Sequence, residues 1–164
     1  MKIADLKIYS VRNVTPNRGG PYFIFVKLTT DNNIEGFGEI YGVPFRPKVV
    51  EKMVEDIFER YIIGRDPFDT ETIGRIIYSS NYGQHPDLSV GGVISGLDRA
   101  GWDMMGKSLN KPIYIAGGIN HKNAKIVIDN ARPNGLDISR GLKDKKNNIS
   151  EKKLKKLIQI LSHV

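Results

Sequence analysis

The feature that most constrains this chain is a change of hydrophobic period about 45 residues in. Up to that point apolar residues recur every second position. Ile3, Leu6, Ile8 and Val11 alternate loosely with polar neighbours. Tyr22 to Thr30 (YFIFVKLTT) is the strongest strand signal, rich in aromatic and β-branched residues, and Ile34 to Ile40 returns after the Asp31-Asn32-Asn33 turn. A Gly/Pro/Asn loop at 13–21 separates the first two runs. The pattern predicts a three-stranded antiparallel meander, in which Gly36 and Gly38 of the third strand imply close approach of another backbone.

From Val49 the period becomes 3.6. Val49, Val50, Met53, Val54, Ile57, Phe58 and Tyr61 form one helix face, with Pro47 at a tolerated first-turn position and Gly64 and Pro67 as the stop. A second helix starting near Asp69-Thr70 carries Ile73, Ile76 and Ile77. A third, from about Ser89 to Leu109, carries Val90, Val93, Ile94, Leu97, Ala100, Met104 and Met105. Gly92, Gly96 and Gly101 cost this helix propensity, which implies tight packing against another element. From Lys111 the order becomes strand (Pro112–Ala116), helix (Asn123–Ala131, with Asn120 as a cap), strand (Leu136–Ser139) and a last helix from Ser150-Glu151. On that last helix Leu154, Leu157, Ile158 and Leu161 form the stripe. This is the order of a βαβα unit.

Charge divides the chain at the same place. The 51 residues from Tyr114 to Val164 hold eleven Lys and Arg against four Asp and Glu, a balance of +7, which is the charge of all 164 residues. The first 113 are therefore neutral. Such asymmetry is expected of a composite chain or of a basic tail that seeks anions. The lysines at 143–156 alternate on an amphipathic helix without interleaved aromatic residues, so they read as a solvated face and no nucleic-acid partner is expected.

Other chemistry is narrowed by what the sequence holds. There is no cysteine, which excludes disulfides, thiolate metal sites and a cysteine nucleophile. His85, His121 and His163 stand far apart with no partner at metal-ligand spacing, so no metal site is expected. Asp98 and Asp103 are not spaced as a catalytic pair. No apolar run approaches bilayer length and residues 1–10 do not read as a signal peptide, so a cytoplasmic location and no membrane partner are expected.

Residues 1–114 resemble the N-terminal capping domain of the enolase superfamily, in its mandelate racemase and acid-sugar dehydratase branch. The segment Ala100-Gly101-Trp102-Asp103-Met104-Met105-Gly106-Lys107, followed by Lys111-Pro112-Ile113-Tyr114, carries the resemblance. Gly36-Phe37-Gly38-Glu39 and Gly64-Arg65-Asp66-Pro67 occur in the matching order. The resemblance implies an α+β domain of meander and helical bundle whose loops close over a (β/α)8 barrel and contact the distal end of an acid sugar. The matching loops place Arg18, Tyr22, Tyr41, Phe45 and Arg46 toward substrate. The family's Mg²⁺ ligands and bases lie on barrel strands, so no catalytic residue and no cofactor is assigned to this chain.

Residues 115–164 resemble the C-terminal end of phosphoribosylanthranilate isomerase, an enzyme of tryptophan biosynthesis. Ile115-Ala116-Gly117-Gly118-Ile119-Asn120 with Asn123 matches its seventh strand and loop, and Pro133-Asn134-Gly135-Leu136-Asp137-Ile138-Ser139 its eighth. The resemblance implies a βαβα fragment of a (β/α)8 barrel with a phosphate cradle at Gly117, Gly118, Ser139 and Gly141. Arg140 and Lys143 depart from that family's pattern, and its cysteine base is absent. Three functions follow: the capping domain of an acid-sugar dehydratase-type enzyme, inactive alone; the phosphate-binding part of an isomerase; or a non-catalytic fusion or gene remnant. Implied partners are an acid sugar or sugar phosphate, and a second copy of the chain or a barrel in trans.

Overall fold

The computed structural model describes residues 1–16, 20–41, 45–80 and 87–162. Contacts divide it into two compact units, Met1–Asn110 and Lys111–Val164.

The first unit opens with the expected meander: β1 (Ile3–Arg12), β2 (Tyr22–Thr30) and β3 (Glu35–Ile40), antiparallel in the order β1-β2-β3. The β2–β3 turn is held by Thr30. Its Oγ1 accepts from the Ile34 N–H at 2.9 Å, while Asn33, at φ +63°, donates to the Thr30 carbonyl. The register puts Ile24, Val26 and Leu28 on one face, beside Ile40, Gly38 and Gly36. That face is buried under helices.

Three helices follow: α1 (Pro47–Ile57), α2 (Thr70–Ser79) and α3 (Leu88–Ser108). The face predicted to run to Tyr61 as one helix widens at Phe58–Ile62 into a π-turn, closed by Ile63 N–H to the Phe58 carbonyl. The added residue lets Phe58 and Ile62 both reach the core. The turn is tied to β1 by Gly64 N–H to the Ile3 carbonyl and Ile3 N–H to the Arg65 carbonyl. Gly64, at φ +77°, makes the stop that the sequence implied. Asp87 caps α3, its Oδ1 accepting from Ser89 and Val90 N–H at 2.7 and 3.1 Å. Val49, expected on the buried face of α1, is half exposed; Val50, Val54 and Ile57 fill the core instead.

β3 lies directly on α3. A Cβ at Gly36 would overlap the Ala100 carbonyl oxygen, and one at Gly38 the Gly96 carbonyl oxygen. On the helix, a Cβ at Gly96 would come within 2.5 Å of Ile40 Cγ1. The close approach read from Gly36, Gly38 and Gly96 is therefore the packing of this strand on this helix. Gly101 differs: its position is open, with no atom within 4 Å of an added Cβ.

The second unit pairs β4 (Tyr114–Ala116) with β5 (Gly135–Asp137) in parallel, joined through α4 (Ala124–Ala131); α5 (Glu151–Leu161) follows. Its core is small: Ile119, Ala124 and Leu157, flanked by Ile115, Val127, Leu136, Ile138 and Leu142. Of the expected α5 stripe, Leu157 is buried, whereas Ile158 and Leu161 are exposed. Two strands and two helices offer too little surface to cover the whole stripe. No helix among the described residues is long and apolar enough to cross a membrane.

Candidate functional site

The end of the meander where β1 leads into β2 and β3 leads into α1 brings together Tyr22, Tyr41, Phe45 and Arg46, four of the lid residues predicted from sequence. The ladder closes on the pair Arg12↔Tyr22, next to Ser10↔Ile24 and Ile24↔Ile40. Ser10 Oγ donates to Glu51 Oε1 at 2.7 Å, which sets the second turn of α1 at the level of Ile24 and Ile40. The start of α1, with Phe45 and Arg46 before it, therefore lies toward the same end as Arg12, Tyr22 and Tyr41. Tyr22 is 43%, Tyr41 67% and Phe45 50% exposed. Arg46 is the extended residue that precedes the first turn, and its carbonyl accepts from Val49 N–H. Arg18 lies outside the described residues, as do His85 and His163.

The β1–β2 loop is anchored by Asn13, whose Nδ2 donates to the Gly20 carbonyl at 2.8 Å and whose N–H donates to the Pro21 carbonyl. Gly20, at φ +115°, takes a backbone conformation that a side chain resists. Arg12, Asn13, Val14, Thr15, Pro21 and Tyr22 enclose a cleft of about 510 Å³. Arg12 was not among the residues singled out from sequence. It reads there as the polar end of a strand, and only the ladder places it beside Tyr22. Neither Arg12 nor Arg46 has a carboxylate partner among the described residues. The site thus offers two guanidinium groups and three aromatic rings, and a guanidinium presents a planar fork of N–H donors to an oxyanion.

The motif residues Asp103 and Lys107 act elsewhere. Asp103 Oδ2 accepts from the Phe37 N–H at 2.9 Å and from Lys107 Nζ at 2.7 Å, and Lys107 Nζ also donates to the Glu35 carbonyl at 2.8 Å. The pair, at i and i+4 on α3, staples the free edge of β3 to the helix. Lys107 also sits 5.1 Å from the centre of the Phe37 ring. Lys27, diagonal to Glu35 across the β2–β3 ladder, holds that carboxyl below the ordinary glutamate range through a side-chain hydrogen bond. Trp102, which precedes Asp103, is 60% exposed.

In the second unit, the parallel strands bring the loops after β4 and β5 together. Gly117 and Gly118 take left-handed φ values of +100° and +66°. A Cβ at Gly141 would overlap the Ile119 carbonyl oxygen, so this glycine serves loop-to-loop contact. Ser139 is exposed beside it. Asn120 does not cap α4. Its Oδ1 accepts from Lys122 N–H, and Asn123, the residue before the helix, returns its Oδ1 to the Asn120 N–H at 2.8 Å. His121 is half-buried, and its enclosed Nδ1 has no partner among the described residues. Among the described residues no three His, Asp or Glu side chains converge as metal ligands.

A meander backed by three helices, with both connecting loops at one end, defines a capping-type α+β domain. The family model for the mandelate racemase / muconate lactonizing enzyme N-terminal domain matches residues 12–115. The chain belongs to that family. It is 32% identical over 110 residues to D-galactonate dehydratase of Pectobacterium atrosepticum, a match spanning 66% of this chain and 28% of that enzyme. A candidate mandelate racemase/muconate lactonizing enzyme from Burkholderia SAR-1 superposes with a TM-score of 0.63 at 46% identity, covering 70% of this chain and 28% of that one. A candidate dehydratase from Zymomonas mobilis ZM4 covers 99% of this chain and 51% of its own at a TM-score of 0.56 and 20% identity, a likeness of fold alone. The chain thus spans little more than a quarter of the curated relative it matches.

Proposed function

We propose that residues 1–114 act as the lid and specificity element of an acid-sugar dehydratase-type enzyme whose proton-transfer and Mg²⁺ groups are carried by a barrel domain. The observation that carries this reading is the convergence of Arg12, Tyr22, Tyr41, Phe45 and Arg46 on one end of the sheet. Closing such a loop pair over a barrel excludes water and strengthens electrostatics at the reacting centre. A guanidinium would hold the sugar's hydroxyl or carboxylate oxygens in fixed orientation. Arg18, on the same loop as the cleft residues, belongs to the same proposed set.

The test is a chimera in which residues 1–114 replace the corresponding lid of the Pectobacterium D-galactonate dehydratase. A folded chimera that dehydrates an acid sugar, and in which Arg46→Ala or Arg12→Ala raises KM more than it lowers kcat, supports the reading. A folded chimera with no turnover, or one indifferent to both substitutions, overturns it. The 164-residue chain by itself is expected to turn over neither acid sugars nor phosphoribosylanthranilate.

For residues 115–164 the reading is a βαβα barrel fragment with an anion cradle at Gly117, Gly118, Ser139 and Gly141. Its support is the meeting of the loops after β4 and β5, where backbone N–H groups in left-handed turns can converge on one oxyanion. Amide shifts of Gly117, Gly118 and Ser139 that saturate on titration with inorganic phosphate support this reading; unchanged shifts remove it. Isomerase activity does not follow from it.

A further inference from the structure

The second unit carries the one Asn-Gly pair of the sequence, Asn134-Gly135, at the entry to β5. A glycine after asparagine leaves its own backbone nitrogen unscreened by any side chain. That nitrogen is one five-membered ring away from the asparagine Cγ, the geometry of an internal attack. Packing favours glycine here: a Cβ at Gly135 would lie 2.5 Å from Tyr114 Cε1, across the first pair of the β4–β5 ladder. The arrangement of the two strands therefore holds a chemically reactive pair in place.

One residue of the neighbouring strand clamps that pair. Ile113 N–H donates to Asn134 Oδ1 at 2.8 Å. The Ile113 carbonyl accepts from the Asn134 N–H at 2.8 Å and from the Gly135 N–H at 3.3 Å. Asn134 is exposed, and its Nδ2, the group that would leave, has no partner among the described residues. The clamp fixes both the electrophilic carbonyl and the attacking nitrogen, so reaction requires Ile113 to release them. It spans weak structure. β4 and β5 have three residues each, and the buried core of the unit is Ile119, Ala124 and Leu157. Segments with so few buried contacts open locally at low cost.

We infer that Asn134 is a deamidation site, gated by the Ile113 clamp, whose isoaspartate product prevents β5 from re-pairing with β4. In the opened state hydroxide removes the Gly135 N–H proton, and the nitrogen forms a bond to Asn134 Cγ. The Cγ–Nδ2 bond breaks and Nδ2 leaves as ammonia, taking its proton from water. Water then opens the succinimide, and no atom changes oxidation state. Opening at Cγ gives aspartate, which keeps an acceptor oxygen for Ile113 N–H. Opening at the main-chain carbonyl gives isoaspartate, in which the chain runs through Cγ. The added backbone carbon displaces Gly135 from Tyr114, and the acceptor of the clamp moves with it.

The test is a time course of the full chain in mildly alkaline buffer, with peptide mapping by mass and fragmentation that distinguishes isoaspartate from aspartate. Asn134 should exchange ammonia for water ahead of every other asparagine. It should do so about tenfold or more slowly than in a free peptide of residues 130–139, the worth of releasing two ordinary hydrogen bonds. Ile113→Pro, which removes the donor to Oδ1, should quicken the folded chain about fivefold, with circular dichroism checking that it is folded. Should that variant not fold, the comparison with the peptide decides. In the isoaspartate form the amides of Leu136 and Asp137 should lose protection from hydrogen exchange, whereas Asn134→Asp should retain it. Another asparagine converting first overturns the inference. So does a folded-chain rate equal to the peptide's, or an isoaspartate form as protected in β5 as the parent.

Discussion

Two glycines of α3 and one of β3 make opposite demands on the same substitution. Gly96 and Gly101 lie five residues apart on α3. Alanine in place of glycine in a helix interior gains about 1 kcal/mol, and part of that gain comes from restricting the unfolded chain. At Gly101 nothing lies within 4 Å of the added methyl, so Gly101→Ala should deliver the gain undiminished. At Gly96 the methyl meets Ile40 Cγ1 at 2.5 Å and the Glu39 carbonyl at 3.2 Å. Ile40 must move from its buried position, at about 1–3 kcal/mol for an overpacked core. Gly96→Ala should therefore come out destabilised by about 1 kcal/mol net once helix propensity is credited. Gly38→Ala has no propensity gain of that kind and meets backbone, which cannot swing aside. It should lose about 2–4 kcal/mol, beyond the usual range for side-chain overpacking. In thermal melts followed by circular dichroism, each kcal/mol moves the midpoint by roughly 4–8 °C for a unit of this size. The expected order of midpoints is Gly101→Ala above the parent, then Gly96→Ala, then Gly38→Ala. A Gly101→Ala variant that melts at or below Gly96→Ala would refute the reasoning, because it would mean that α3 is not seated on β3 at Gly96.

Asp103→Asn and Lys107→Met both release the β3 edge from α3 and should each lower stability by about 1–2 kcal/mol, the worth of a charge-assisted hydrogen bond. Hydrogen exchange at the Phe37 amide should accelerate in Asp103→Asn, and protection equal to that of the parent would remove the staple. The Lys27–Glu35 pair gives a pH dependence with a defined sign. Glu35 titrates below its unfolded value, so its contribution is complete above about pH 4.5 and is lost as pH falls through the depressed value. Lys27 titrates above its unfolded value, so its part is complete below about pH 10.5 and is lost as pH rises through the raised value. Lys27→Met should shift the Glu35 carboxyl titration upward by NMR; an unchanged midpoint would break the assignment.

Much of the domain was legible before any coordinates. The alternation of YFIFVKLTT and the turn at Asp31-Asn33 gave the meander, because side-chain period in a strand is a local property. The Gly36, Gly38 and Gly96 signals survived for the same reason: a glycine that costs an element propensity must be repaid by packing or space. Which of the two applies is not local. Gly96 and Gly101 look alike in sequence, and only the seating of α3 on β3 separates them.

The residues at the loop end of the meander divide in a similar way. Tyr22, Tyr41, Phe45 and Arg46 were found through a pattern of motifs in order. Arg12 stayed invisible because nothing in its neighbours marks a strand end that another loop will approach. Asp103 and Lys107 carried a recognisable motif, yet their work depends on the unpaired edge of a strand some 66 residues away in sequence. The sequence alone determined the main strands and helices, their order and the family, since these rest on periodicity, turn chemistry and motif spacing. The tertiary structure alone decided which faces meet, and with them the clustering of Arg12, Tyr22, Tyr41, Phe45 and Arg46 and the stapled edge of β3. Those depend on which surfaces desolvate together, and no short window of sequence contains that information.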